Sequence, residues 1–304
     1  MSAPERSDAP ARPAAEVTSS ADYGKTASFL AVGVGLTGVI TYAYFLIASH
    51  TLSKHDYGQI TILWSAVFIT ISTLYRPVEQ LLSRHISERL AKDEPINQPM
   101  RVASLIQFGL SLLFTVLALA LRGPIQDGLL EGNEALYWVF FSSVLFYAAS
   151  YFARGFLAGS QRFGLFVALI LSESCFRTIF AVMVAIGILS GQSAVAIGIT
   201  AAPALSLIVV PFAFVRRAQK ERVAAGAPAA PGGAAEEAPA EDFSLTHGGG
   251  FAAAVLVIMF SEQAFLNAGP LVVRALEGAS AAGFIFNVLM LARAPLQLFQ
   301  SVST

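Results

Sequence analysis

Charged residues are scarce in this sequence. Asp, Glu, Lys and Arg make up only 13% of the 304 residues, whereas 55% are hydrophobic and the mean hydropathy is +0.65. Ordinary globular proteins carry about 25% charged residues. The composition therefore predicts a polytopic membrane protein. The net charge of −1 says little about partners, because the positions of Lys and Arg matter more in a membrane protein than their total; we expect no nucleic-acid partner.

The sequence also lacks the residues from which most metal, redox and catalytic sites are built. Its single cysteine, Cys175, cannot form a disulfide within the chain. The histidines lack the spacing of metal ligands: His50, His55, His85 and His247. A G-x-G-x-x-G pattern from Gly33 to Gly38 lies inside an apolar segment, not between a strand and a helix as a nucleotide site requires. No nucleophile motif or paired carboxylates of a hydrolase are present, so we expect no metal, no cofactor and no enzymatic activity.

Long apolar segments dominate what is present. A helix needs about 20 such residues to cross roughly 30 Å of bilayer hydrocarbon. Eight segments have this character, at 27–49, 60–75, 102–121, 136–157, 165–189, 194–214, 250–273 and 283–299. The second continues to residue 90 as a more amphipathic helix. The sequence therefore predicts an all-α protein with about eight transmembrane helices.

Composition divides the chain into four regions. Residues 1–25 are rich in Ala, Pro, Ser and charge, which is typical of a disordered tail. Residues 26–215 form a predicted lobe of six transmembrane helices. Residues 216–247 form an Ala/Pro/Gly-rich tract typical of a flexible linker. Residues 248–304 contain the first two helices of a second lobe, which predicts that this lobe, and so the chain, is truncated.

The positions of Lys and Arg predict the orientation. Most of those outside the apolar segments lie in the tail, around residues 84–101, at Arg162 and in the linker, whereas Lys54, Arg122 and Arg274 lie on the other side of the predicted membrane. Positive residues accumulate on the cytoplasmic side of membrane proteins. We therefore expect a cytoplasmic N-terminus and a cytoplasmic linker.

A helical hairpin with charge inside it is the most informative stretch. The turn at residues 159–163 joins two apolar segments that contain Arg154, Glu173 and Arg177. Charge at this depth is costly and often functional. Glu173 and Arg177 share a helix face and can neutralise each other, so a purely structural ion pair is one interpretation. For Arg154 the corresponding alternative is extension to the nearby membrane surface.

Other polar residues accompany helix breakers in the apolar segments. Arg76 and Glu79 flank Pro77. Polar residues and helix breakers also occur together in the last two apolar segments. Kinked helices with inward polar groups are how transporters build a cavity near the membrane midplane. The predicted cavity residues, all candidates for substrate binding, are Arg76, Glu79, Arg154, Glu173, Arg177, Glu262, Asn267 and Arg293.

Four short stretches resemble the polysaccharide-biosynthesis flippases, a family of the multidrug/oligosaccharidyl-lipid/polysaccharide (MOP) exporter superfamily. The stretches are the Leu52–Gly58 loop, the Arg154–Phe163 hairpin, the Glu173 to Arg177 helix turn and the run from Ala282 to Pro295. The resemblance extends from about Thr26 to the end. It implies two six-helix lobes related by a pseudo-twofold axis along the membrane normal, and a central cavity that opens alternately to either side.

A weak internal repeat agrees with this implied symmetry. Residues 29–58 run from an apolar helix through a polar loop to Gly58, and residues 251–283 follow the same pattern to Gly283 with three extra residues. The pattern favours two similarly oriented lobes.

The leading functional hypothesis is a flippase of the bacterial cytoplasmic membrane that moves a polyprenyl-diphosphate-linked saccharide to the outer leaflet. Buried arginines suit a diphosphate because they are permanent, bidentate cations. The expected partners are this lipid-linked saccharide, membrane lipid, H+ or Na+ as a coupling ion, and polysaccharide assembly proteins. Two alternatives are an ion-coupled small-molecule or drug exporter of the same fold and a membrane assembly protein without a transport cycle.

Overall fold

A computed structural model describes residues 20–211 and 245–303, and describes side chains for residues 27–211 and 257–292. Within these ranges the protein is all-α, as predicted. The helices are α1 (Ser20–Thr51), α2 (Lys54–Leu74), α3 (Arg76–Ala91), α4 (Asn97–Ala120), α5 (Glu134–Gly159), α6 (Phe163–Ala185), α7 (Gln192–Ser206), α8 (Leu245–Glu277) and α9 (Ala279–Ser303). Six helices before residue 211 are long and apolar enough to cross a membrane, counting α2 and α3 together.

The helix boundaries refine the predicted regions. Because α1 begins at Ser20, residues 20–25 of the predicted tail are helical. Similarly, α8 begins at Leu245, before the predicted end of the linker. The rest of the tail and residues 212–244 of the linker region lie outside the described residues. A π-helical turn at Pro124–Leu129 lies between the predicted apolar segments 102–121 and 136–157.

The predicted kink separates α2 from α3. Pro77 occupies the first turn of α3, a position that a proline tolerates because the amide there has no partner within the helix. The chain stays continuous, since the Glu79 amide donates to the Tyr75 carbonyl at 3.0 Å. α3 packs closely on α5, because a Cβ built on Gly155 or Gly159 would meet the α3 backbone within 3 Å. The GxxxG spacing of α5 therefore serves close helix packing.

One end of the helix bundle joins the N-terminal helices to α8 and α9. It contains residues 52–59, 122–134 and 274–279, and we call it the outer end because the distribution of Lys and Arg predicts that it faces outward. Here Gly283 of α9 lies so close to Gly58 of α2 that an added Cβ would be 3.1 Å from the Gly58 Cα. These are the glycines at which the two halves of the predicted repeat end.

Replacing Gly58 by alanine should weaken the packing of α9 on α2. The new Cβ would lie 1.9 Å from the Ala279 carbonyl oxygen, and backbone cannot move aside as a flexible side chain can. We expect Gly58→Ala to lower the free energy of unfolding by about 1–3 kcal/mol, measured by thermal unfolding in detergent. The matched control is Gly35→Ala in α1, where nothing lies within 4 Å. Equal melting temperatures for the two variants would contradict this prediction.

Candidate functional site

The interior of the α5–α6 hairpin contains a cluster of charged and hydroxyl side chains around Glu173. One carboxylate oxygen, Oε1, accepts hydrogen bonds from the Tyr147 hydroxyl at 2.8 Å and from Arg177 at 3.1 Å. The other, Oε2, accepts from Arg154 at 2.5 Å and from Ser150 at 3.3 Å. A single carboxylate therefore holds two guanidinium groups, one from each helix of the hairpin. We call these five residues the Glu173 cluster.

The sequence of α5 explains how three of its side chains reach the same point. Tyr147, Ser150 and Arg154 are separated by three and four residues, the spacing that places side chains on one face of a helix. Glu173 and Arg177 obey the same rule on α6. The turn after Gly159 has Gln161 in a left-handed conformation, with φ of 54°, and brings the two faces together.

Aromatic rings cover both guanidinium groups. Arg177 lies 4.3 Å from the centre of the Trp64 ring of α2, and Arg154 lies 4.7 Å from that of Tyr151. Such contacts stabilise a cation most strongly when it is removed from water. The Arg177 guanidinium also donates to the Tyr147 hydroxyl at 3.1 Å. Arg177 is thus fixed by three helices, α2, α5 and α6.

The Glu173 cluster is closed to solvent but not fully satisfied. The side chains of Glu173 and Arg177 are 6% and 3% exposed, and that of Arg154 is 15% exposed. The Nε groups of both arginines are buried without a hydrogen-bond partner in the described part of the chain. Glu79, half-buried on α3, is close enough to Arg154 to interact electrostatically with it. Two cations therefore face one bonded carboxylate, with a second carboxylate nearby.

The structure separates the predicted cavity residues into two groups. It brings Arg154, Glu173 and Arg177 together, with Glu79 close by. Because Arg154 turns inward to Glu173, the alternative that it extends to the membrane surface is wrong. The remaining predicted residues do not join this cluster as far as the structure describes them.

Arg76 is exposed at the start of α3, and Glu262 is exposed on α8. Asn267 is buried on α8, where its amide donates to the carbonyl and side-chain oxygens of Gln263, both at 3.2 Å. The side chain of Arg293 lies outside the described residues.

Sequence reasoning missed several members of the site. Tyr147, Ser150 and Tyr151 could have been found, because they share a helical face with Arg154. Trp64 could not, since it comes from another helix and nothing in its own segment points to a buried cation. The pairing of Glu173 with Arg154 as well as Arg177 was also missed, and the predicted ion pair is in fact part of a triad.

Chemically, the cluster surrounds one carboxylate with guanidinium and hydroxyl donors, so it can bind an anion or a proton. Among the described residues no group of three or more His, Cys, Asp or Glu side chains is placed to hold a metal ion. None of the family models, curated proteins or solved structures compared with the chain matches it.

Proposed function

We propose that the protein is a transporter of the flippase type, which moves a polyprenyl-diphosphate-linked saccharide from the inner to the outer leaflet of a bacterial cytoplasmic membrane, with its N-terminus in the cytoplasm. The observation that carries the proposal is the pair of arginines, Arg154 and Arg177, buried among apolar helices and sharing the Glu173 carboxylate. A diphosphate is the kind of ligand that needs two fixed guanidinium groups.

The arrangement favours an anionic cargo over a cationic one. Glu173 already accepts four hydrogen bonds, so it has little capacity left for a cation. Each arginine, in contrast, keeps an Nε group that has no partner among the described residues. An anion that reached the cluster would find donors, whereas a cation would have to displace a guanidinium.

Access to the cluster requires an opened state, because Arg177 is almost completely buried. Arg154 is the more exposed of the two cations and lies beside Glu79, so it is the group that a substrate would meet first. Alternating access supplies such a state in transporters of this kind of architecture.

Polysaccharide assembly proteins are the partners that we expect to supply the lipid-linked saccharide on one side of the membrane and to remove it on the other.

Two alternatives have specific observations in their favour. Glu79 is a half-buried carboxylate of the sort that an H+- or Na+-coupled small-molecule exporter could use. The burial of the Glu173 cluster also suits a membrane assembly protein in which the triad only holds helices together. The flippase, the exporter and the assembly protein each predict a different result when the purified protein is tested for transport in liposomes.

The test is transport by the purified protein in liposomes. A fluorescent polyprenyl-diphosphate-linked saccharide is placed in the membrane, and a membrane-impermeant quencher reports how fast the inner-leaflet lipid becomes accessible. We expect faster quenching than in protein-free liposomes, and little effect on the corresponding monophosphate. Gradient-driven uptake of a cationic dye without lipid movement would favour the exporter, and absence of both activities would favour the assembly protein.

A further inference from the structure

A second polar cluster lies at the outer end, away from the Glu173 cluster. Its centre is Glu131, in the turn before α5, whose backbone is left-handed with φ of 54°. The Glu131 Oε2 atom accepts from the Gln59 amide at 2.7 Å and contacts the His55 Nε2 atom at 2.8 Å. Both partners belong to the first two turns of α2. The cluster therefore ties the 130–133 turn to α2.

The same carboxylate also faces the last turn of α8. The guanidinium of Arg274 lies 4.0 Å from Glu131 Oε1, and its side chain is only 15% exposed. Its Nε group is buried without a hydrogen-bond partner in the residues described. Glu131 is thus the counter-ion of a nearly buried cation that belongs to the other part of the chain. Its two oxygens divide between the two parts, with Oε2 held by α2 and Oε1 facing α8.

The contacts around this ion pair continue across the outer end. Gln192, at the start of α7, donates to the Gln59 side chain at 2.7 Å and accepts from Asn133 at 3.2 Å. On α9, Asn287 accepts a hydrogen bond from the Tyr57 hydroxyl of α2. Beside them, Ala282 is fully buried in a small apolar cluster with Ile62 and Ala279. Polar contacts therefore cover an apolar seam between α2 and the α8–α9 pair.

We propose that the outer end is a gate, closed in this structure, and that Glu131 is its latch: one carboxylate that holds α2 and pairs with Arg274 of α8. The seam combines glycine backbone and small alanines with larger buried side chains, Ile62 on α2 and Phe286 on α9. The polar pairs at its outer edge are contacts that water can replace. The gate rests on the proposed transport function, but its opening is observable without any substrate.

Cysteine labelling tests the gate. In the Cys175→Ala background, Ala282→Cys places a thiol beneath the latch, and Gly128→Cys on the exposed π-helical turn is the positive control for the outer face. A membrane-impermeant maleimide is added to intact cells that express the full chain. We expect Gly128→Cys to react and Ala282→Cys to be protected. Adding Glu131→Gln or Arg274→Gln should raise the labelling rate of Ala282→Cys about fivefold, as expected for loss of a partly exposed ion pair.

Two controls separate gate opening from loss of structure. Glu134→Gln makes the same change three residues away, but Glu134 pairs with Arg122 at 2.8 Å within the N-terminal helices, so it should leave Ala282→Cys protected. Ala118→Cys, buried near the outer end of α4, should stay protected in every variant. Labelling of both buried cysteines would mean unfolding and would overturn the proposal, as would unchanged protection of Ala282→Cys. Failure of lipid transport with faster Ala282→Cys labelling would count against the proposed function alone.

Discussion

Glu173→Gln should nearly eliminate folded protein from the membrane. The carboxylate accepts hydrogen bonds from Arg154 and Arg177, so its loss leaves two buried cations without their bonded counter-ion. Removing one partner of a buried ion pair costs about 3–5 kcal/mol, which is a large share of the roughly 5–15 kcal/mol that stabilises a typical protein. Abundance and melting temperature, measured on a fluorescent fusion by size-exclusion chromatography in detergent, would report the effect.

Other substitutions that remove charge should lower the abundance of folded protein less than Glu173→Gln does. Arg177→Gln should be milder, because Glu173 keeps Arg154. The triple variant with glutamine at 154, 173 and 177 should recover much of the lost abundance, since it leaves no unpaired charge in the cluster. Glu134→Gln, in an ion pair whose carboxylate side chain is 63% exposed, should change stability by less than about 1 kcal/mol. Normal abundance of Glu173→Gln would show that the triad contributes little to folding.

Arg154→Gln and Arg177→Gln should each reduce lipid transport strongly while leaving folded protein in the membrane. A hydrogen bond to a charged group contributes about 1.5–3 kcal/mol, which corresponds to a loss of roughly tenfold to 100-fold for each arginine. The double variant should transport nothing measurable in the liposome assay. Initial transport rates at equal protein amounts are the measurement.

Conservative and distant substitutions serve as controls for the arginine variants. Arg154→Lys keeps the charge but not the bidentate geometry, so it should retain only part of the activity. Arg84→Gln removes an arginine whose side chain is 78% exposed and pairs within α3, and it should transport normally. If Arg154→Gln and Arg177→Gln also transport normally, their role is architectural, and the search for the headgroup site moves to Arg76 and Arg293.

Much of the fold could be predicted because hydrophobic length and helix breakers act locally. The apolar segments give the helices, Pro77 gives the break between α2 and α3, and the polar turn gives the α5–α6 hairpin. The face shared by Glu173 and Arg177 also follows from helix geometry. The helical character of Pro124–Leu129 did not follow, since a proline and a glycine in a short polar stretch normally indicate a turn.

The full Glu173 cluster depends on tertiary packing that the sequence does not encode in an obvious pattern. With a rise of about 1.5 Å per residue, Arg154 lies about 8 Å from the end of α5, whereas Glu173 lies about 15 Å from the start of α6. Arg154 and Glu173 therefore lie at different distances from the hairpin turn. The long arginine side chain spans this difference and reaches the Glu173 carboxylate. The latch at Glu131 was missed for a similar reason, because its partners come from α2 and α8.

The contact between α2 and α9 also constrains how the protein is made. Tyr57 and its partner Asn287 are 230 residues apart, and Gly58 meets Gly283 beside them. At a synthesis rate of about 5–20 residues per second, roughly 10–50 s pass between their emergence from the ribosome. During that time the glycine face of α2 has no helix to cover it. Lipid or the membrane insertion machinery must occupy this face until α9 arrives, so biogenesis should be most vulnerable in that interval.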